Sequence, residues 1–405
     1  MSGKHPVSLN DIKEAQKRLH GVIRPTNLIK AGWLERQIGN SVLLKPENLQ
    51  RAGSFKIRGA YNLLAQLSAE DRKKGVVAAS AGNHAQGVAL AAQLLGIKST
   101  VFMPVSASIP KVVATKGYGA EVKFAGDVID EAIISARQYC EASGSVFIPP
   151  FDHKHIVAGQ GTVGLEIFEQ MPEVKTVLVC TGGGGLLAGS ALAIKEQNPK
   201  VKVIGVQAAN AAAYPQSLKE GKPVALKVMN TIADGIAVGK PGDIPFGIIQ
   251  DYVDEIITVS ESNLSIAILQ TLERGKLLVE PGGAAAVAAF IANPEAFQGP
   301  VAVVLSGGNI DPLLLERIMQ TGLATAGRYL TVRIRIKDKP GTLAQLLTEI
   351  GGLGANILDI FHLRTDPMLA LDEVAVNITM ETRGVEHEDD VLNRIKALGH
   401  DAEVQ

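Results

Sequence analysis

Hydrophobic and polar positions set two different rhythms along this chain. Up to about residue 320, short apolar runs alternate with stretches of helical spacing. The runs are Val42-Leu43-Leu44, 76–79, 100–103, 121–124, 146–148, 176–180, 201–206, 255–259 and 301–305. They are too short for helices and mostly lack polar alternation, which suits strands buried on both faces. Ile57, Ala60, Leu64 and Leu67 predict a helix after the first run. Further helices are expected at 85–95, 108–115, 128–142, 156–170, 186–196, 261–274, 283–292 and 312–320. Pro110 falls in a first turn, where proline is tolerated. Ahead of this body, Ser8 caps a helix over 8–20 that aligns Ile12, Ala15 and Leu19. Strands alternating with helices make parallel βαβ units, so the fold class is α/β. The body is too long for one sheet and predicts two lobes around a cleft.

The rhythm changes after 321–328, a small-residue stretch that reads as a linker. Residues 330–336 alternate strictly, as a half-exposed antiparallel strand does. A turn at Asp338-Lys339-Pro340-Gly341 leads to a helix over 342–350. Strands at 355–364 and 373–380, a helix at 388–398 and a short last strand complete a ferredoxin-like βαββαβ unit over 329–405.

Charge and composition remove several classes of function. A net charge of −1 gives no broad attraction to nucleic acid or to an anionic membrane, so neither is expected as a partner. No apolar run is long enough to span a bilayer; the small-residue stretch 282–292 is too short. Met1 to Pro6 lack the apolar core of a secretion signal. Cys140 and Cys180 lie far apart and form no CxxC, as expected of buried free thiols in a reducing compartment. The expected location is the cytoplasm.

Four stretches carry the chemistry. In Gly53-Ser54-Phe55-Lys56-Ile57-Arg58-Gly59, Ser54 reads as an N-cap, which puts Lys56 in the first turn of a helix. A cation gains nothing at that positive end, so Lys56 is either solvated or chemically employed. Arg58 supplies neighbouring charge that would lower the amine's pKa and make it a nucleophile. Ser80-Ala81-Gly82-Asn83-His84-Ala85-Gln86-Gly87 lies between a strand end and a helix start, where α/β proteins bind ligands. Its N–H groups and the Ser80 hydroxyl suit a carboxylate, though an N-cap with a satisfied histidine fits equally. Thr181-Gly182-Gly183-Gly184-Gly185-Leu186 reads as a phosphate cup at a helix N-terminus. Ser306-Gly307-Gly308-Asn309 ends a strand, and a hydroxyl there can meet a ring atom, though in isolation an ordinary turn fits it better. A lysine nucleophile, a carboxylate loop, a phosphate cup and a polar strand end together fit pyridoxal phosphate.

Those four motifs, in this order and spacing, resemble the threonine ammonia-lyases (threonine dehydratases), within the tryptophan-synthase-β-like pyridoxal-phosphate enzymes. The resemblance covers residues 5–320. It implies a two-lobed fold type II catalytic domain over 1–320, with a smaller lobe at about 50–150 inserted in the larger. By the same resemblance Lys56 forms the Schiff base with the cofactor, and Phe55 lies beside it. Asn83 meets the ring hydroxyl, Gly182, Gly183, Gly184, Gly185 and Leu186 hold the phosphate, and Ser306 faces the ring nitrogen. Glu280, in Glu280-Pro281-Gly282-Gly283-Ala284, matches an acidic position near the ring. Ser54, Ser80, Asn83 and His84 would hold the substrate. The released Lys56 amine takes the Cα proton. A serine at the ring nitrogen, unlike a carboxylate, does not hold that nitrogen protonated, which favours β-hydroxyl loss over transamination. The implied reaction is L-threonine to 2-oxobutanoate and ammonia, with L-serine to pyruvate as a side activity. It belongs to amino-acid metabolism, in isoleucine biosynthesis or threonine catabolism.

The chain also departs from its relatives. Related enzymes such as serine racemase carry two carboxylates for a divalent cation where this chain has Gln207 and Ala213, so no metal is expected there. Many relatives have Thr-Pro near the N-terminus; here it is Pro25-Thr26. Residues 329–405 resemble an ACT domain, an amino-acid-sensing module. That likeness puts Asp338, Pro340, Gly341, Asn356 and Ile357 at an effector site for isoleucine, valine or another small molecule, unless the module only dimerises. A homodimer or homotetramer is expected. Serine or hydroxyaspartate dehydration, or serine racemisation, would use the same fold. A dinucleotide-binding amino-acid sensor is a further reading, from Gly183-x-Gly185-x-x-Ala188, but it requires an acid where Gln207 stands.

Overall fold

The apolar runs of the body become strands of two separate sheets in the computed structural model, which describes residues 4–365 and 369–405. Met1 to Gly3, part of the stretch in which no secretion signal is expected, lie outside the described residues. By its internal contacts the chain divides into two units, the first ending at Leu314 and the second beginning at Leu315.

The larger sheet of the first unit has six strands. Their spatial order is Ile29–Lys30, Val42–Pro46, Val301–Leu305, Thr176–Cys180, Lys202–Ala208 and Glu255–Val259. All pairs are parallel except the first. Val301–Leu305 and Thr176–Cys180 are buried at every position, as central strands covered on both faces must be. Helix Pro281–Ala292 packs on this sheet and is apolar all round, so it too is buried. The smaller sheet is wholly parallel, in the order Glu121–Phe124, Ser99–Met103, Val76–Ala79 and Val146–Phe147. In sequence it is inserted between the second and fourth spatial strands of the larger sheet.

Helix Lys154–Gln170 crosses both Lys56–Leu64 and Gly185–Lys195 at close range. Glycines permit this. A Cβ on Gly159 would lie 2.5 Å from the Arg58 carbonyl oxygen, and one on Gly189 would lie 2.4 Å from that of Val157. These contacts are backbone to backbone, so a side chain can enter only if the helices part.

Where these helices meet, a charged group is sealed inside. The Arg58 side chain is fully buried. It donates through Nε and Nη2 to both Glu47 carboxylate oxygens, each at 2.7 Å, and through Nη1 and Nη2 to Glu166 at 2.6 and 2.9 Å. Lys45 Nζ donates to Glu166 at 2.5 Å and to the Thr26 carbonyl at 2.6 Å. Thr26 Oγ1 donates to Glu47 and accepts from Arg58, so the threonine of Pro25-Thr26 has a defined role here. Two acids face two bases, and the geometry is multidentate, as a buried charge requires.

Sequence and structure differ in several elements. Helix Ala69–Lys74 buries no residue, so no apolar face announced it; its signal was the Ser68 cap on Asp71. Helices Gly32–Ile38, Tyr214–Glu220 and Asp243–Tyr252 are likewise additional to the sequence reading. The expected linker 321–328 is helical through Thr325. Thr321 and Thr325 donate their hydroxyls to the carbonyls of Arg317 and Thr321, four residues back, and the helix continues past the small residues.

The second unit is a four-stranded antiparallel sheet in the order Asn356–Leu363, Glu373–Glu381, Tyr329–Lys337 and Asp401–Val404. With helices Thr342–Gly352 and Val385–Ala397 it has the expected ferredoxin-like βαββαβ order. The alternating strand Tyr329–Lys337 sends Leu330, Val332, Ile334 and Ile336 into the core. Among the described residues no helix is long and apolar enough to cross a membrane.

Two substitutions test this packing, read by denaturant unfolding at Trp33, the single and buried tryptophan. Arg58→Met should cost about 3–5 kcal/mol by stranding Glu47, and the double variant R58M/E47M should recover most of it. Gly189→Ala should cost about 1–3 kcal/mol by forcing helix backbones apart.

Candidate active site

Lys56 opens the helix Lys56–Leu64. Ser54 is not its cap. Ser54 is extended and bridges to Gly307, while Phe55 holds the cap position with helical angles and no side-chain bond. The reason is strand-like pairing: Phe55 N–H donates to the Ser306 carbonyl at 3.1 Å, and Gly308 N–H to that of Gly53 at 2.9 Å. Ser54 Oγ is left buried without a hydrogen-bond partner. The Lys56 amine donates to the Pro150 carbonyl at 3.1 Å and sits 5.2 Å from the centre of the Phe55 ring.

Desolvation drives the Lys56 amine down to about 8, while Cys180 and Glu280 act in the opposite sense. Arg58 does not contribute. The expectation that its charge activates Lys56 is therefore corrected, because Arg58 points away and is neutralised by Glu47 and Glu166.

Asn83, Glu280 and Asn309 form one line of hydrogen bonds. Asn309 Nδ2 donates to Asn83 Oδ1 at 2.7 Å, and Asn83 Nδ2 donates to Glu280 Oε1. This fixes the Asn83 amide and leaves one of its N–H bonds for a further acceptor. Glu280 is 4% exposed, and burial raises its carboxyl to about 7, with the Asp234 charge adding to the rise. Gly307 has to be glycine beside it, since a Cβ there would lie 2.3 Å from Glu280 Oε1. His84 Nε2 lies 2.8 Å from the Ile148 carbonyl, which can only accept, so that nitrogen carries the hydrogen. Burial, and then Lys56, hold the ring neutral by lowering it to about 3. Ser80 Oγ accepts from Gly82 N–H at 3.1 Å, at the end of strand Val76–Ala79.

The glycine turn links Thr176–Cys180 to helix Gly185–Lys195. Gly184 has φ +97°, a conformation L side chains rarely adopt, and a Cβ there would meet the Tyr214 hydroxyl at 1.9 Å. Tyr214 Oη donates to the Gly183 carbonyl at 3.1 Å, and the Phe151 ring covers Gly183. Among the described residues, the N–H groups of Gly182 to Leu186 donate to no protein acceptor. Unpaired N–H groups at a helix start form a cradle for an anion. Gln207 spends its Oε1 on Tyr214 N–H at 3.0 Å and is fully buried, so no group stands there to meet a ribose.

These residues fit pyridoxal phosphate. A desolvated amine, an anion cradle and a strand-end hydroxyl surround one site, with Ser54 Oγ unpaired beside it. The structure brings Lys56, Phe55, Ser54, Asn83, Glu280 and Ser306 together. Gly182 to Leu186 join them through Phe151, which follows the Pro150 that holds Lys56. Asp338, Pro340, Gly341, Asn356 and Ile357 belong to the second unit. Asp338 pairs with Arg364 there, and Gly341 caps helix Thr342–Gly352 with φ +89°.

Sequence reasoning missed Cys180, whose Sγ lies 3.0 Å from Ser306 Oγ. Its place just before the glycine turn was the available signal. It also missed Lys111, which pairs with Asp234 next to Glu280.

Residues 19–307 match the family described as pyridoxal-phosphate dependent enzyme. The L-threonine ammonia-lyase of Thermotoga maritima is 44% identical over 98% of this chain and 99% of its own length. That of Geobacter sulfurreducens is 47% identical over 96% and 97%. Among solved structures, the processed form of threonine deaminase isoform 2 from Solanum lycopersicum shares 37% identity at a TM-score of 0.74, over 77% of this chain and 86% of that one. Lys56, its cradle and the sequence profile converge, and the chain belongs to the family of pyridoxal-phosphate dependent enzymes.

Proposed function

We propose that this protein is an L-threonine ammonia-lyase, converting L-threonine to 2-oxobutanoate and ammonia and, more slowly, L-serine to pyruvate. One observation carries the reading: a lysine amine lowered by desolvation lies where a glycine cradle, Asn83, Glu280 and Ser306 converge. Two relatives of that name, matched over nearly their full length, support it.

Lys56 would hold the cofactor covalently, Gly182 to Leu186 would take its phosphate, Asn83 would meet the ring hydroxyl and Ser306 the ring nitrogen. Bound pyridoxal phosphate supplies a sink for the electron pair left when the substrate Cα–H bond breaks. Lys56 Nζ, once released, is the base that takes that proton, and its lowered pKa keeps much of it neutral near pH 8. The fixed Asn83 amide and the loop from Ser80 orient the substrate carboxylate. Neutral His84 contributes no charge to that recognition. Loss of the β-hydroxyl as water, then addition of one water and release of ammonia, balances the reaction.

The second unit is proposed to act as an ACT-type regulatory domain, binding isoleucine, valine or a similar small molecule through Asp338, Pro340, Gly341, Asn356 and Ile357. It would also support assembly into a homodimer or homotetramer. Its ferredoxin-like topology supports this reading.

Purified protein should be yellow with added pyridoxal phosphate and should fix the label on Lys56 after borohydride. Lys56→Ala should lose elimination of threonine by at least about a thousandfold while keeping wild-type unfolding. Colourless protein, or turnover retained in that variant, would sink the proposal. Without cofactor, amine labelling at Lys56 should rise as the neutral form appears, with its midpoint at about pH 8, as peptide mapping across pH can show. An inflection near the ordinary lysine value would contradict desolvation as the cause.

A further inference from the structure

We propose that Cys180 is a positioning residue: its S–H donates to Ser306 Oγ and so turns the Ser306 hydroxyl hydrogen into the active site. Cys180 ends the strand Thr176–Cys180 and Ser306 follows its parallel neighbour Val301–Leu305, at the edge where the site is built. Sγ and Oγ are 3.0 Å apart, and each residue is only 3% exposed. Burial pushes the thiol up to about 11, so at neutral pH the sulfur keeps its hydrogen. Among the described residues, Ser306 Oγ has no other protein partner.

A hydroxyl has one hydrogen and two lone pairs. With one lone pair engaged by the thiol, the remaining freedom of the Ser306 hydroxyl is narrowed. Its hydrogen points away from Cys180, and the Ser306 carbonyl is itself fixed by the Phe55 N–H. Ser306 is therefore presented as a donor. This role rests on the cofactor reading above. It adds that the donor state of Ser306 is set by a side chain outside the motif that contains it.

The test uses protein carrying Cys140→Ala, so that Cys180 is the only thiol. Its infrared S–H stretching band should move to higher wavenumber on Ser306→Ala, with or without pyridoxal phosphate. In the loaded enzyme, Cys180→Ala should shift the visible absorption and lower kcat about tenfold at unchanged KM for threonine, the scale of one hydrogen bond. Cys180→Ser, which keeps a donor, should restore both. An S–H band unmoved by Ser306→Ala in a yellow, active enzyme overturns the assignment, because the serine would then be donating to sulfur. Wild-type absorption and kcat in Cys180→Ala overturn it as well. Protein that takes up no pyridoxal phosphate sinks the functional reading, and the orienting role with it.

Discussion

The sealed charge group of Arg58, Glu47, Glu166 and Lys45 is the constraint on which the placement of Lys56 depends. Removing these ions from water is costly, and only a full set of multidentate contacts offsets it. That requirement allows few arrangements. It ties the N-terminal segment at Thr26, the end of strand Val42–Pro46, the helix of Lys56 and helix Lys154–Gln170 to one geometry. Lys56 lies two residues before Arg58 and faces the other way. The structural charges are thus kept apart from the chemical one. The amine is tuned by loss of water around it, and a buried arginine close in sequence leaves it untouched.

The rest of the site follows from strand direction. Parallel strands end on the same edge, so residues distant in sequence meet there. Cys180 and Ser306 come from adjacent strand ends. Asn83, from the smaller sheet's first helix, is joined to Glu280 and Asn309 of the larger body by two hydrogen bonds. The Lys111–Asp234 pair spans the same division. His84 is held neutral by burial and Cys180 keeps its proton, while Glu280, raised to about 7, is shared between its two forms near neutral pH.

Much of this was legible in the sequence because strands buried on both faces leave continuous apolar runs. Residues 76–79, 176–180 and 301–305, buried at every position, match their strands to the residue, and so do the partly exposed edge strands at 121–124 and 255–259. The glycine turn could be read because four successive glycines cost conformational entropy and offer N–H groups at a helix start, whereas the strand-end serine gained meaning only beside the other three motifs. What could not be read depended on long-range pairing. Ser54 looks like a helix cap until its backbone is seen paired with Gly307, far along the chain. Arg58 looks like a neighbour of Lys56 until Glu166 is brought against it. Helix Ala69–Lys74 has no apolar stripe, so periodicity passed over it. Cys180 is an ordinary buried thiol in one dimension, and acquires a partner only when strand order places Ser306 beside it.

Strand order also bears on how the protein is made. Val301–Leu305 enters the larger sheet last in sequence, yet its place is between Val42–Pro46 and Thr176–Cys180. A nascent chain that has not reached it holds two bare parallel edges facing a gap, with apolar side chains on both sides. It also lacks Ser306 and Asn309, so Asn83 keeps only its bond to Glu280 and the site is unfinished. The smaller sheet, complete by Phe147, can form far earlier. The last strand in sequence is therefore the one that closes the larger sheet, and a chain that lacks it leaves strand edges open to non-native pairing.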